Sequence, residues 1–220
     1  MRRKPLFLLF AITAAVAVIA LGVTFSVLVQ TTESRANNFS VGNVSIRLDE
    51  PGWDPPPSGW VLRPGVTMPK DPTITNTGHN NAYVYIEVQI PRAVVRTYGS
   101  ASNILPPGVQ DLFTYTVNPG WTEITGERSV ITSGAGAEIS SVYLYAYTAN
   151  NGILPPGGST PPLFSSVTFA NVLEGEIPKG ETFEIPVTAY AIQCEHLGET
   201  GLTTIARMTD AFSIYKQAAR

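Results

Sequence analysis

Beyond an apolar run at the N-terminus, hydrophobic positions recur mainly with period two. Val84, Ile86, Val88 and Ile90 alternate with Tyr83, Tyr85, Glu87 and Gln89, which is the pattern of a half-buried strand. Upstream, Phe39, Val41, Val44, Ile46 and Leu48 take one face of an extended segment and Ser45 and Arg47 the other, with Gly42-Asn43 as a slip or bulge between the halves. Phe113 to Val117, Glu138 to Thr148, Leu163 to Ala170 and Thr182 to Gln193 are four further candidates. Turns at Pro64-Gly65, Pro119-Gly120 and Lys179-Gly180 separate these short strands, so the chain is expected to be all-β, an antiparallel sandwich. Pro91 and Pro186 offer no amide to a ladder and are expected at a strand end or a sheet edge. The period changes only near the C-terminus. Leu202, Ile205, Met208, Phe212 and Tyr215 are spaced by three or four, with polar Thr209, Asp210 and Lys216 between them. This spacing predicts an amphipathic helix that packs one face on the sandwich as a lid over an open end.

The N-terminal run has a different logic. Arg2, Arg3 and Lys4 precede an uncharged stretch from Leu6 to Val29, the plan of an export signal. The stretch is also long enough to cross a bilayer as a helix, so an uncleaved anchor is the alternative. A signal peptidase that requires small side chains can read Thr24-Phe25-Ser26 and cut after Ser26, leaving Val27 as the first mature residue. The chain then divides into a signal peptide (1–26), an N-terminal arm (27–38) and a sandwich domain (39–220). The arm is polar, with Val27, Val29 and Thr31 at alternate positions before Asn38. It reads either as a free tail or as a strand awaiting a partner. A strand added to the exposed edge of the next molecule makes a heterologous contact that propagates into a filament.

Composition narrows the chemistry. Of 220 residues, 14% are charged, and 19 Gly and 18 Pro are present; the charged share is below the roughly 25% of an average domain. Many short elements follow, and long helical bundles are disfavoured. A net charge of -3 gives no general attraction to phosphate backbones or anionic lipid, so no nucleic-acid partner is expected, and membrane contact only through the signal segment. One cysteine cannot form an internal disulfide, and two histidines supply little for a metal site. No His-Glu-x-x-His, Gly-x-Ser-x-Gly or phosphate loop occurs, and Cys194-Glu195-His196 lacks a further ligand at metal spacing. Asp49, Glu50 and Asp54 read as a solvated loop rather than a hard-cation site. No cofactor, catalytic residue or enzymatic role is expected.

Two features suggest a binding surface instead. The loop Glu50 to Gly59 contains Pro51, Pro55, Pro56 and Pro57 and is flanked by Trp53 and Trp60. With the stripe Tyr143, Tyr145 and Tyr147 it makes a candidate surface for a glycan or wall polymer, because such rings give a large contact area with few torsions to freeze; packing is the alternative for both tryptophans. Ile-Leu-Pro-Pro-Gly occurs at Ile104 to Gly108 and at Ile153 to Gly157, and is expected to form two similar stiff loops rather than to mark a duplicated domain.

The order of motifs resembles that of the TasA/camelysin family of exported proteins from Gram-positive bacteria. The stretches that carry the resemblance are Gly22-Val23-Thr24-Phe25-Ser26, Asn38-Phe39-Ser40-Val41-Gly42-Asn43-Val44-Ser45-Ile46-Arg47-Leu48, Leu62-Arg63-Pro64-Gly65, Lys70-Asp71-Pro72-Thr73-Ile74-Thr75-Asn76-Thr77-Gly78, Ala82-Tyr83-Val84-Tyr85-Ile86 and Ala189-Tyr190-Ala191-Ile192-Gln193. The resemblance implies a jelly-roll sandwich, secretion through a dedicated signal peptidase, and, for the TasA branch, biofilm-matrix fibres built by donating the N-terminal segment to a neighbouring subunit. Family signals usually end Thr-Tyr-Ala where this chain has Thr24-Phe25-Ser26. Camelysin is described as a metallopeptidase, but no metal-ligand motif carries over to these residues. The expectation is therefore a secreted matrix or cell-surface protein that forms fibres with itself or a related subunit, with an extracellular glycan- or wall-binding module as the alternative and a camelysin-like metallopeptidase as the third reading.

Overall fold

The computed structural model describes residues 43–54, 56, 61–99, 103–195 and 201–218. The signal segment, its cut site and the arm lie outside them. Within the described residues the strands are β1 (Ile46–Asp49), β2 (Thr67–Pro69), β3 (Thr73–Asn76), β4 (Ala82–Val95), β5 (Gly108–Asp111), β6 (Phe113–Thr114), β7 (Trp121–Glu123), β8 (Ser129–Thr132), β9 (Glu138–Tyr147), β10 (Ser166–Phe169) and β11 (Val187–Gln193), and the helical stretch forms α1 (Thr204–Ala218). Of these, β2, β3, β5, β7 and β8 fall outside the stretches singled out by alternation, and the candidate Phe113 to Val117 pairs only over its first two residues. The ladders between these strands are antiparallel. The largest sheet runs β11-β4-β9-β7, with β5 paired to the end of β4 and β8 to the start of β9. Two smaller sheets, β1-β3 and β2-β10-β6, are joined by the run that enters β10: its Thr160 and Leu163 amides donate to Ile74 and Pro72, both at 2.9 Å. The chain is mostly β, with several antiparallel sheets and a C-terminal helix.

Alternation along β4 sorts its side chains between two apolar clusters. Val84, Ile86, Val88 and Ile90 join Met68, Ile74 and Val167 of the smaller sheets, and Phe164 of the run entering β10, in one core. Burying an aliphatic side chain of this kind contributes about 1.5–3 kcal/mol. Tyr83 and Tyr85 point the other way and are also buried, because Met208, Ala211 and Phe212 of α1 cover them together with Leu144, Ala146 and Ile192. The Tyr85 hydroxyl donates to the Met208 carbonyl at 2.8 Å, and its ring lies 5.0 Å from that of Phe212. The helix is thus a cover for a sheet face rather than a lid over an open end, since that face carries its own apolar patch.

Three further expectations are refined. Pro186 directly precedes β11, as its missing amide requires, whereas Pro91 sits inside the 14-residue β4. There the β11 ladder has ended, the β5 ladder begins, and the Pro91 carbonyl accepts from Leu112 at 2.8 Å. The alternating run Thr182 to Gln193 pairs only from the Pro186 carbonyl, which accepts from the Gln89 amide at 3.0 Å, onward. In the upstream segment, Val44, Ile46 and Leu48 lie half-buried against the core with Arg47 exposed, while Phe39 and Val41 fall outside the described residues. Gly78 closes the turn after β3: a Cβ there would meet the Asn43 carbonyl at 2.6 Å and the Ser45 nitrogen at 2.7 Å. The buried Asn76 braces this turn, donating to Asn80 and Leu154 carbonyls at 2.9 Å and accepting from the Gly78 amide.

Candidate functional site: an open groove beside an unpaired strand

Between β10 and β11 the chain leaves the sheets and runs as a strap over the core. Pro178, Gly180 and Pro186 punctuate it, and the sequence Glu181-Thr182-Phe183-Glu184-Ile185 keeps an alternating pattern. Phe183 and Ile185 are half-buried against the core, while Thr182 and Glu184 are exposed. Phe183 stands 6.4 Å from the Phe113 ring and 6.5 Å from the Phe169 ring. Alternate side chains thus anchor the segment on the core. Among the described residues, however, no backbone group accepts from the amides of 182–185. An unpaired extended backbone ordinarily seeks a strand partner.

The strap walls a groove of about 1020 Å³, at the upper end of ordinary ligand sites (about 300–1,000 Å³). Met68, Phe113, Val167 and Phe169 contribute apolar lining, with Trp53 and Tyr98 at its margin, each 40% exposed. Charged residues also line it, among them Arg63, Lys179 and the strap's Glu181 and Glu184; the Lys70 ammonium lies 2.7 Å from Glu50 and 5.4 Å from the Trp53 ring centroid. Asp71 accepts the Gly52 amide on both carboxylate oxygens, at 2.8 and 2.9 Å. Lys70-Asp71 therefore pins the start of the proline-rich loop, and Trp53 with it, against β2. At the strap's upstream end, the Arg96 amide and guanidinium donate to Glu176 at 2.9 and 2.7 Å. These bonds hold the Glu176 carboxyl below the usual carboxylate range.

The groove gathers only part of the expected ligand surface. Trp53 lines it; Trp60 lies outside the described residues, as do Thr24, Ser26, Val27, Val29, Thr31 and Asn38 of the cut site and arm. The tyrosine stripe is a core feature, because odd-numbered residues of β9 share the face of Ile86 and Val88 through the β4 ladder. Tyr147 packs on Trp121 at 5.5 Å, and Tyr145 meets the Tyr115 hydroxyl at 2.9 Å. Half-buried Tyr143 donates to Asp111 at 2.5 Å. Burial pushes the phenol of Tyr145 up to about 12 and displaces Tyr115 and Tyr143 upward as well. These tyrosines are held as packing groups, and Tyr145 and Tyr147 present no exposed stripe.

The acidic residues near the loop are also dispersed. Asp49 pairs with Arg47 and Glu50 with Lys70, so they do not converge with Asp54. Among the described residues no group of three His, Cys, Asp or Glu side chains is placed to hold a metal ion, and no helix is long and apolar enough to cross a membrane. Cys194 is half-buried, and burial raises its thiol above the ordinary range. The chain matches no family model, no curated protein and no solved structure.

Periodicity alone could not reveal the groove, since Thr182 to Gln193 looks like one strand. Pro186 was the available signal: a residue without an amide separates the part of that run that pairs from the part that does not.

Proposed function

We propose that this chain is an exported structural protein of the jelly-roll type seen in the TasA/camelysin family it resembles, a subunit of a cell-surface or biofilm matrix. After a signal peptidase cuts between Ser26 and Val27, the arm of one molecule adds to the unpaired strap of the next and lays its apolar side chains toward the groove. The observation that carries this reading is the segment Thr182–Ile185, which half-buries Phe183 and Ile185 and whose amides have no backbone partner among the described residues, beside a groove with a largely apolar floor. Added main-chain hydrogen bonds are each worth about 0.5–1.5 kcal/mol net, and a head-to-tail addition does not close on itself. The test compares the mature chain with one lacking residues 27–38 by electron microscopy. Fibres from the complete chain and none from the truncated one are expected; unchanged fibres after truncation would overturn the proposal.

The position of Trp53 supports a second reading, a module that holds a glycan or wall polymer. A carbohydrate array with hits lost in Trp53→Ala would favour it, and an array without hits would remove it.

A further inference from the structure

The β7–β9 side of the large sheet ends on a strand whose one protection is its shortness, four residues. All four residues of β8, Ser129, Val130, Ile131 and Thr132, are exposed, Val130 by 43% and Ile131 by 38%. The strand pairs β9 on one side, and among the described residues nothing pairs with its other side. Natural edges are ordinarily blunted by lysine, proline, inward-pointing charge or a bulge. β8 has no charge and no proline. The register shift beside it inserts the extra residue, Ile139, into β9; β8 stays regular and Ile139 adds another 44% exposed apolar side chain.

Neighbouring charges are already neutralised. Arg128 makes a two-pronged pair with Glu123, with one arm at 2.8 Å, and stacks 5.3 Å from the Tyr143 centroid. Glu127 is bound by Lys216 at 2.5 Å. A second β8 brought alongside thus meets no opposing like charge.

We propose that β8 is a docking edge for β8 of a second copy, joined antiparallel about a twofold axis. In such a pair only alternate residues point their amides outward, so like faces like and the axis falls at Val130 or at Ile131. Either centre sets apolar side chains against each other across the axis, and no charge faces a charge. Two four-residue strands bury far less than the about 1,200 Å² of a stable interface. The contact is therefore weak between free molecules and gains strength when many copies are arrayed. None of the groove-lining residues belongs to β8, so one molecule can use both surfaces. Resting on the fibre proposal above, this inference assigns β8 to the side-by-side bundling of fibres.

The test uses the mature chain in a Cys194→Ser background, with Val130→Cys and Ile131→Cys made separately and Val94→Cys, 65% exposed, as the control. Residues on the axis face their own copies with Cα atoms about 4.5–5.5 Å apart, within disulfide reach. Oxidation is expected to give covalent dimers with one β8 variant and not with the control. Absence of dimers from both, or equal dimers from the control, overturns the proposal. The double variant Val130→Lys with Ile131→Lys is expected to leave single fibres of normal length and abolish bundles; persistent bundles also overturn it. If the wild-type chain forms no fibres, the fibre proposal fails, and cross-linking in concentrated free chains still reads the edge independently.

Discussion

β4 and the strap carry the same alternating signature and have opposite fates. Ile86 of β4 is fully buried, with ladders on both sides of its strand and covering layers on both faces of its sheet. Ile185 of the strap is half-buried, and its backbone has no partner among the described residues. Period-two patterning reports which way side chains point. It does not report whether a neighbouring strand exists, and that difference makes one region a scaffold and the other a candidate acceptor.

The sharpest break of this comparison is the same substitution on both sides. Ile86→Ala leaves a cavity in a core that cannot collapse and is expected to cost about 2–5 kcal/mol, while Ile185→Ala costs about 1 kcal/mol; urea titrations of the two variants check the ratio. Equal losses would mean that the strap is as integral as β4.

Alkali should act on the scaffold next. Burial holds Tyr145 and Tyr190 up to about 12, above the ordinary phenol value of about 10. A phenol whose native value is raised stabilises the fold fully below its unfolded value, and that stability is lost as pH rises from about 10 toward 12. Thermal melts should therefore fall across that window, and Tyr145→Phe should flatten the fall. A melt insensitive to pH there would contradict the burial assigned to these rings.

Tyr85→Phe is a smaller change. It removes the bond to the Met208 carbonyl and should cost about 0.5–1.5 kcal/mol, with faster amide exchange in α1. Smallest in stability is Glu176→Gln, which weakens the Arg96 clamp on the strap. Its main signature should be faster proteolysis of the strap with little change in melting. Lowering pH from the usual glutamate range to below it should do the same to the parent chain, because a carboxyl held low by its partner keeps that stabilisation above its unfolded value and loses it as pH falls through its lower native one. Unchanged cleavage in both cases would detach the clamp from the strap's order.

Much of the scaffold was legible in the chain. β4, β9 and the turns at Gly65, Gly120 and Gly180, each with positive φ, stand where alternation and turn chemistry put them. The candidate site was less legible, because it depends on what surrounds a pattern. Ile-Leu-Pro-Pro-Gly shows the point: Leu154 is 2% exposed and its amide and carbonyl both pair with Ala82, whereas Leu105 is 37% exposed. Gly157 adopts a left-handed φ of 73°, while Gly108 opens β5. The same five residues bury and pair their leucine in one setting and expose it in the other, since burial is conferred by partners distant in sequence. The tyrosine stripe misled for a related reason. A tyrosine at alternate positions suits a wet face or a core lined with hydroxyl partners, and Asp111 and Tyr115 supply the second.

Hydrogen exchange of Thr182–Ile185, measured on the mature chain first as free molecules and then as assembled material, tests the central claim most directly. Rapid exchange in the free chain that becomes strongly protected on assembly, and stays rapid when residues 27–38 are removed, is the predicted result. Amides already protected in the free chain, or equally exposed after assembly, would contradict the assignment of the strap as the acceptor.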